Sequence, residues 1–156
     1  CAALNAHCRA KPDELIRAIA DTGGYIGICC IPIFLGGSGD ISAFLDHIDH
    51  AVKTFGADHV AIGTDVAYTS RATDDEWKKV PPRPKRRKAW ESLWPQGAIG
   101  DDPRWNAPRQ RQSMAWTNWP LFTVGMVQRG HSDQDIQKIL GLNVLRVAQA
   151  VFDARS

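Results

Sequence analysis

His59-Val-Ala-Ile-Gly63, followed at once by Thr64 and Asp65, is a short apolar run with a carboxylate at its far end. Its length and branching are those of a buried β-strand. A second run of the same kind, Tyr25-Ile-Gly-Ile-Cys-Cys-Ile31, lies upstream, and wholly apolar strands of this sort are covered on both faces. A helical pattern precedes each run. Lys11-Pro-Asp-Glu14 opens the first helix, because Pro is tolerated in a first turn and acids suit a helix N-terminus. Leu15, Ile16 and Ile19 give it one apolar face, and Thr22-Gly-Gly24 stops it. Pro32 ends the first strand and Gly36-Gly-Ser-Gly39 forms a loop. The second helix covers residues 40–55, where Ile41, Phe44, Leu45, Ile48, Val52 and Phe55 recur at helical spacing, and Gly56 closes it. Helix, strand, helix, strand in this order predicts parallel strands joined by right-handed crossovers.

Farther along, residues 121–128 are apolar and end in Arg129-Gly130, and Ser132-Asp-Gln-Asp135 is a variant capping box that opens a short helix. A last helix covers residues 143–154, with Val144, Leu145, Val147, Ala148, Val151 and Phe152 as its core face. Two strands do not make a stable parallel sheet, which needs several neighbours and cover on both faces. The pattern therefore predicts the end of a larger α/β protein. In a (β/α) barrel the strand ends that face the active site carry the catalytic groups. Asp65 stands at such an end, as a general base, as a holder of metal-bound water, or as a turn cap.

The chain has 156 residues, 44% hydrophobic and 23% charged, a balance that suits one globular domain and excludes a disordered tail. No stretch reaches the roughly 18 apolar residues of a membrane span. Residues 1–11 show no signal-peptide pattern. They also hold no Met, as expected of a piece of a longer chain or a processed product. The net charge of +2 is too small to imply a polyanionic partner. Its distribution is uneven: residues 66–117 hold eleven Lys or Arg against six Asp or Glu, with five of the six Trp. That stretch reads as an insertion, which divides the chain into 1–65, 66–117 and 118–156. Its basic run Lys85-Arg-Arg-Lys88, near Trp77, Trp90 and Trp94, reads as a solvated loop rather than a nucleic-acid surface. The four Cys form no CxxC pair and read as buried free thiols, which favours a reducing compartment such as the cytoplasm without fixing it. His47 and His50 are three apart on the second helix and read as structural. There is no phosphate loop, nucleophile elbow or HExxH helix.

Four segments resemble the membrane dipeptidase family of binuclear zinc peptidases. They are Pro12-Asp-Glu-Leu-Ile-Arg-Ala-Ile-Ala20 with Thr22-Gly-Gly-Tyr-Ile-Gly-Ile28; Phe44-Leu-Asp-His-Ile-Asp-His50; Asp58-His-Val-Ala-Ile-Gly-Thr-Asp65; and Arg129-Gly-His-Ser-Asp-Gln-Asp-Ile-Gln-Lys-Ile-Leu-Gly-Leu-Asn-Val-Leu-Arg-Val147. They stand in the family's order and cover nearly everything outside the insertion.

The resemblance implies the C-terminal part of a (β/α)8 TIM-type barrel, with 1–65 as its last two βα units and 118–156 as its closing helices. It implies a dipeptide substrate and two zinc ions. Their ligands are expected upstream of Cys1, so that this chain holds no metal ligand and is inactive alone. By the same resemblance Asp65 handles the metal-bridging water or the substrate's amine, and Arg9 grips the dipeptide carboxylate, a pairing that suits a planar guanidinium. The implied partners are the rest of the barrel and a second copy of the chain, with the Trp-rich stretch as a lid or interface. Two runs depart from the family. Its Asp-Phe-Asp-Gly is Asp65-Val-Ala-Tyr68 here, and its Asn-Phe-Tyr-Pro is Cys29-Cys-Ile-Pro32. These departures leave room for a catalytically silent homologue acting as an interaction module, or for a metal-dependent hydrolase of another amide or a lactone.

Overall fold

The computed structural model describes residues 1–66, 73–81, 95 and 102–155. Helix α1 (Asp13–Asp21) starts after Pro12, carries Asp13 and Glu14 in its first turn and buries Ile16 and Ala20. It ends where Gly23 N–H donates to Ala20 O (2.8 Å) and Gly24 N–H to Ile19 O (3.1 Å). Strand β1 (Ile26–Ile28) follows. Pro32 does more than end it: it is the first residue of a one-turn helix, α2 (Pro32–Leu35). The N–H that Pro lacks is one a helix start leaves unused. Helix α3 (Ile41–Phe55) buries Phe44, Leu45, Ile48 and Phe55, as the spacing predicts. A single 3₁₀ turn then leads into β2 (Val60–Ile62).

The strands are parallel, as the alternation predicts, with Ile26 opposite Val60, Gly27 opposite Ala61 and Ile28 opposite Ile62. The pairing continues past both strands, where Gly63 N–H donates to Ile28 O (2.9 Å) and Cys30 N–H to Thr64 O (2.8 Å). Ile28 and Val60 enter one core with Ile16, Phe44, Ile48 and Phe122. Gly27 and Gly63 approach so closely that a Cβ built on either would stand 3.1 Å from the other's Cα.

Helices α4 (Thr73–Lys78) and α5 (Pro108–Ser113) come from the stretch read as an insertion. Its described end is built onto the loop before α3. Gly39 has φ +63, and a Cβ there would meet the Trp105 ring at 2.6 Å. Arg109 Nε donates to Asp40 (2.6 Å), Ile41 N–H donates to Ser113 Oγ (3.2 Å), and Met114 is buried in the core. The basic run at 85–88, Trp90, Trp94 and Tyr68 lie outside the described residues.

Helix α6 (Trp119–Gln128) begins two residues before the apolar run, with Pro120 in its first turn. Ser132 caps α7 (Asp133–Gln137): its Oγ accepts from Asp135 N–H (3.1 Å) and donates to the Asp135 carboxylate (2.8 Å). A π-type turn over Lys138–Leu142 leads into α8 (Asn143–Asp153). The expected core face of α8 is a correction. Val144, Leu145, Val151 and Phe152 are exposed, Leu145 at 65% and Phe152 at 66%. The helix docks through polar groups instead. Asn143 is buried and donates to Ala57 O (2.7 Å) and Val60 O (2.8 Å), while Arg146 donates to Gly23 O (2.7 Å) and Asp58 O (2.8 Å). No helix among the described residues is long and apolar enough to cross a membrane.

Candidate functional site

The continued strand pairing holds Thr64 in place and delivers Asp65 at the C-terminal end of β2, where its side chain is exposed. Asp65 has φ +54 and is the sole non-glycine residue with positive φ among the described residues. Left-handed backbone is costly for most side chains, least so for Asp and Asn, and such geometry gathers at functional sites. Cys29 lies just beyond the matching end of β1. Its thiol pKa is raised, first by burial and further by the nearby Asp65 carboxylate. Cys30, on the buried side, is pushed up to about 12, mostly by burial. Both are thiols rather than thiolates at neutral pH. All four cysteines are free, but Cys8 is exposed, Cys1 and Cys29 are half-buried and Cys30 alone of the four is buried, so the expectation of four buried thiols is corrected.

A cavity of about 210 Å³ opens at this end of the sheet. Arg9 and Asp65, the two site residues expected from sequence, both line it, with Lys11, Cys29 and His47. Its apolar wall includes Ile16, Ile26, Ile28, Phe34 and Leu35. The loop that carries Arg9 is tied down locally: Arg9 N–H donates to His7 Nδ1 (3.1 Å), and the His7 ring lies 4.8 Å from the Phe34 ring. His47 is nearly inaccessible; its Nε2 donates to Leu35 O (2.9 Å), and its Nδ1 accepts from the Cys1 backbone nitrogen (2.7 Å). Burial lowers the His47 pKa, which suits the neutral ring that this pairing requires. The other helical histidine, His50, pairs with Asp13 at 3.1 Å. His59 Nδ1 donates to Gly24 O at 2.7 Å and His131 pairs with Asp49 at 2.7 Å.

Sequence reasoning did not single out Lys11, or the part His47 plays in the cavity wall. The signal for Lys11 was its place two residues from Arg9. For His47 there was none, because the face a loop covers cannot be read from helical spacing. The cavity thus joins a carboxylate able to exchange protons, two cations and an apolar floor. No group of three or more His, Cys, Asp or Glu among the described residues is placed to hold a metal ion.

A family model described as membrane dipeptidase (peptidase family M19) matches residues 1–81, which include both strands, Arg9 and Asp65. Among curated proteins, the chain is 26% identical over 155 residues to dipeptidase verJ of Clonostachys rogersoniana, covering 97% of this chain and 30% of that protein. It is 26% identical over 149 residues to dipeptidase ataJ of Aspergillus terreus, covering 93% and 27%. An uncharacterized protein in the pqqA 5′ region of Klebsiella pneumoniae is 35% identical over 72 residues, 39% of this chain and 27% of that protein. The chain spans under a third of the length of these relatives.

Proposed function

Because this chain belongs to the membrane dipeptidase family, peptidase family M19, we propose that it is the closing part of a (β/α)8 barrel that hydrolyses dipeptides, to which it contributes Asp65 and Arg9. In a protein of the relatives' length, residues 1–65 are the last two βα units, 66–117 an insertion on the active-site side and 118–156 the closing helices. The observation that carries this reading is that Asp65 and Arg9 line one cavity at the C-terminal ends of two parallel strands, the end where barrel enzymes carry their chemistry.

The Arg9 guanidinium pairs with both oxygens of the substrate's C-terminal carboxylate and so fixes the peptide bond relative to Asp65. The Asp65 carboxylate takes a proton from the attacking water or holds the substrate's ammonium group. Strand pairing holds Thr64, the residue before it, and so places Asp65 at the strand end before substrate arrives. The two zinc ions implied by the family resemblance do not fit the described residues, which offer no ligand cluster. Their ligands are assigned to other parts of a longer protein, in which metal analysis is expected to find about two zinc per chain.

The test is Asp65→Asn in the full-length protein, which keeps the size of the side chain and removes its basicity. Turnover of a dipeptide is expected to fall by about 10²–10⁴-fold while the circular dichroism spectrum stays as it was. An unchanged kcat removes Asp65 from the mechanism.

A further inference from the structure

We propose that Asn5 is a positioning residue for substrate binding, which holds the loop carrying Arg9 against helix α2. The inference rests on the dipeptidase reading above, in which Arg9 receives the substrate's carboxylate, and adds the residue through which that contact is set. A helix leaves its last carbonyls without partners inside the helix. In the single turn of α2 these include Ile33 O and Phe34 O, and the Asn5 amide meets both. Its Nδ2 donates to Ile33 O at 3.0 Å and to Phe34 O at 3.1 Å, so both hydrogens of one nitrogen are spent on one helix end. Gly36, which follows α2, has φ +68, and a Cβ there would stand 2.7 Å from Asn5 Cγ. The joint therefore needs the glycine as well as the amide.

A run of short contacts leads from this joint to Arg9. His7 N–H donates to Asn5 O (2.8 Å), and the His7 ring lies 4.8 Å from the Phe34 ring. Arg9 N–H donates to His7 Nδ1 (3.1 Å), and Ala10 N–H donates to His7 O (2.9 Å). The base of the loop is closed where Ala2 N–H donates to Lys11 O (2.8 Å). On its other side, α2 supplies Phe34 and Leu35 to the wall of the cavity that Arg9 and Asp65 line. Asn5 thus stands behind that wall and ties it to the backbone of Arg9. A substrate held by its carboxylate presents its peptide bond at a fixed spacing from that carboxylate, so a small displacement of the Arg9 loop is felt as weaker binding.

The experiment uses two variants of the full-length enzyme. Asn5→Asp keeps the size of the side chain but removes both donors and turns oxygens toward the two carbonyls. Asn5→Ala removes the joint without adding charge. Each is expected to raise KM for Ala-Ala by about five- to tenfold with kcat changed by less than about twofold. KM for the amide of Ala-Ala is expected to stay as in the wild type. In an Arg9→Met background the same substitutions are expected to raise KM no further, a result that general loosening of the fold does not produce. Equal losses on the acid and the amide, additive losses in the Arg9→Met background, unchanged KM, or failure of both variants to fold as judged by circular dichroism overturn the proposal while the dipeptidase reading stands. If the wild type hydrolyses no dipeptide, that reading fails and the Asn5 proposal falls with it.

Discussion

Asp40 is 2% exposed, yet its carboxylate meets three donors: Ser38 Oγ at 2.6 Å, Ser42 N–H at 2.9 Å and Arg109 Nε at 2.6 Å. Burial by itself would raise its pKa, but these three bonds outweigh it and hold the group below the ordinary carboxylate value of 3.8. A carboxylate depressed on folding contributes stability that is complete above its unfolded pKa and is lost as pH falls through the lower folded value. Below pH 3.8 the chain is therefore expected to loosen at this joint. Arg109 is largely exposed, so Arg109→Met is expected to cost only about 1 kcal/mol at neutral pH. It also shifts acid unfolding to higher pH, measurable by far-UV circular dichroism between pH 2 and 5. An unmoved acid midpoint takes Arg109 out of this joint. The thiols permit a second check at the same scale. Cys8 is exposed, whereas Cys30 is 3% exposed with its pKa near 12. Iodoacetamide at neutral pH is expected to label Cys8 well before Cys30, as peptide mapping would show. For the proposed substrate clamp, Arg9→Met is expected to raise KM about tenfold or more on dipeptides with a free C-terminal carboxylate. It has little effect on the corresponding amides, and an equal loss on both would give Arg9 a different task.

Among the elements, α8 shows why a polar joint can matter more than an apolar face. Asn143 spends both hydrogens of one amide on the carbonyls of Ala57 and Val60 at the entrance to β2. Asn143→Ala strands those acceptors in a buried place and is expected to cost about 1–3 kcal/mol, read as a lower denaturant midpoint. Arg129 performs a similar service at the other end of α6, reaching Asp46 at 2.7 Å and Asp49 at 2.6 Å on α3. The main elements were legible because their signals are local. The spacing of Phe44, Ile48 and Phe55 specifies α3, and Ser132 specifies the start of α7. Helix α2 was not legible, since Pro32 both ends one element and begins the next. The face of α8 was misread because periodicity reports that a helix is amphipathic and not what lies against it. In the cavity, Asp65 and Arg9 were legible through the family resemblance. Lys11 and His47 needed the loop before α1 to be seen folding back over α2 and α3.

At the scale of the whole molecule, two apolar surfaces among the described residues are exposed. Leu145 and Phe152 lie seven residues apart on α8, as do Val144 and Val151, so they form one stripe. Leu121, Val124 and Val127 expose a second on α6, whose opposite side buries Phe122 and Met126. Surfaces of this kind invite association. The 156-residue chain made alone is expected to self-associate and bind a hydrophobic dye, and the double substitution Leu145→Lys with Phe152→Lys is expected to weaken both, by sedimentation and fluorescence. A chain that stays monomeric and dye-free assigns no adhesive role to these stripes. The pair Gly27 and Gly63 bears on how such a pocket can change over time. With only 3.1 Å available to a new Cβ at either site, even alanine requires the neighbouring backbone to give by a few tenths of an ångström. A side chain on that part of the floor therefore comes only with a shift of the backbone beneath it, whereas the loops around the rim can vary what the pocket accepts without one.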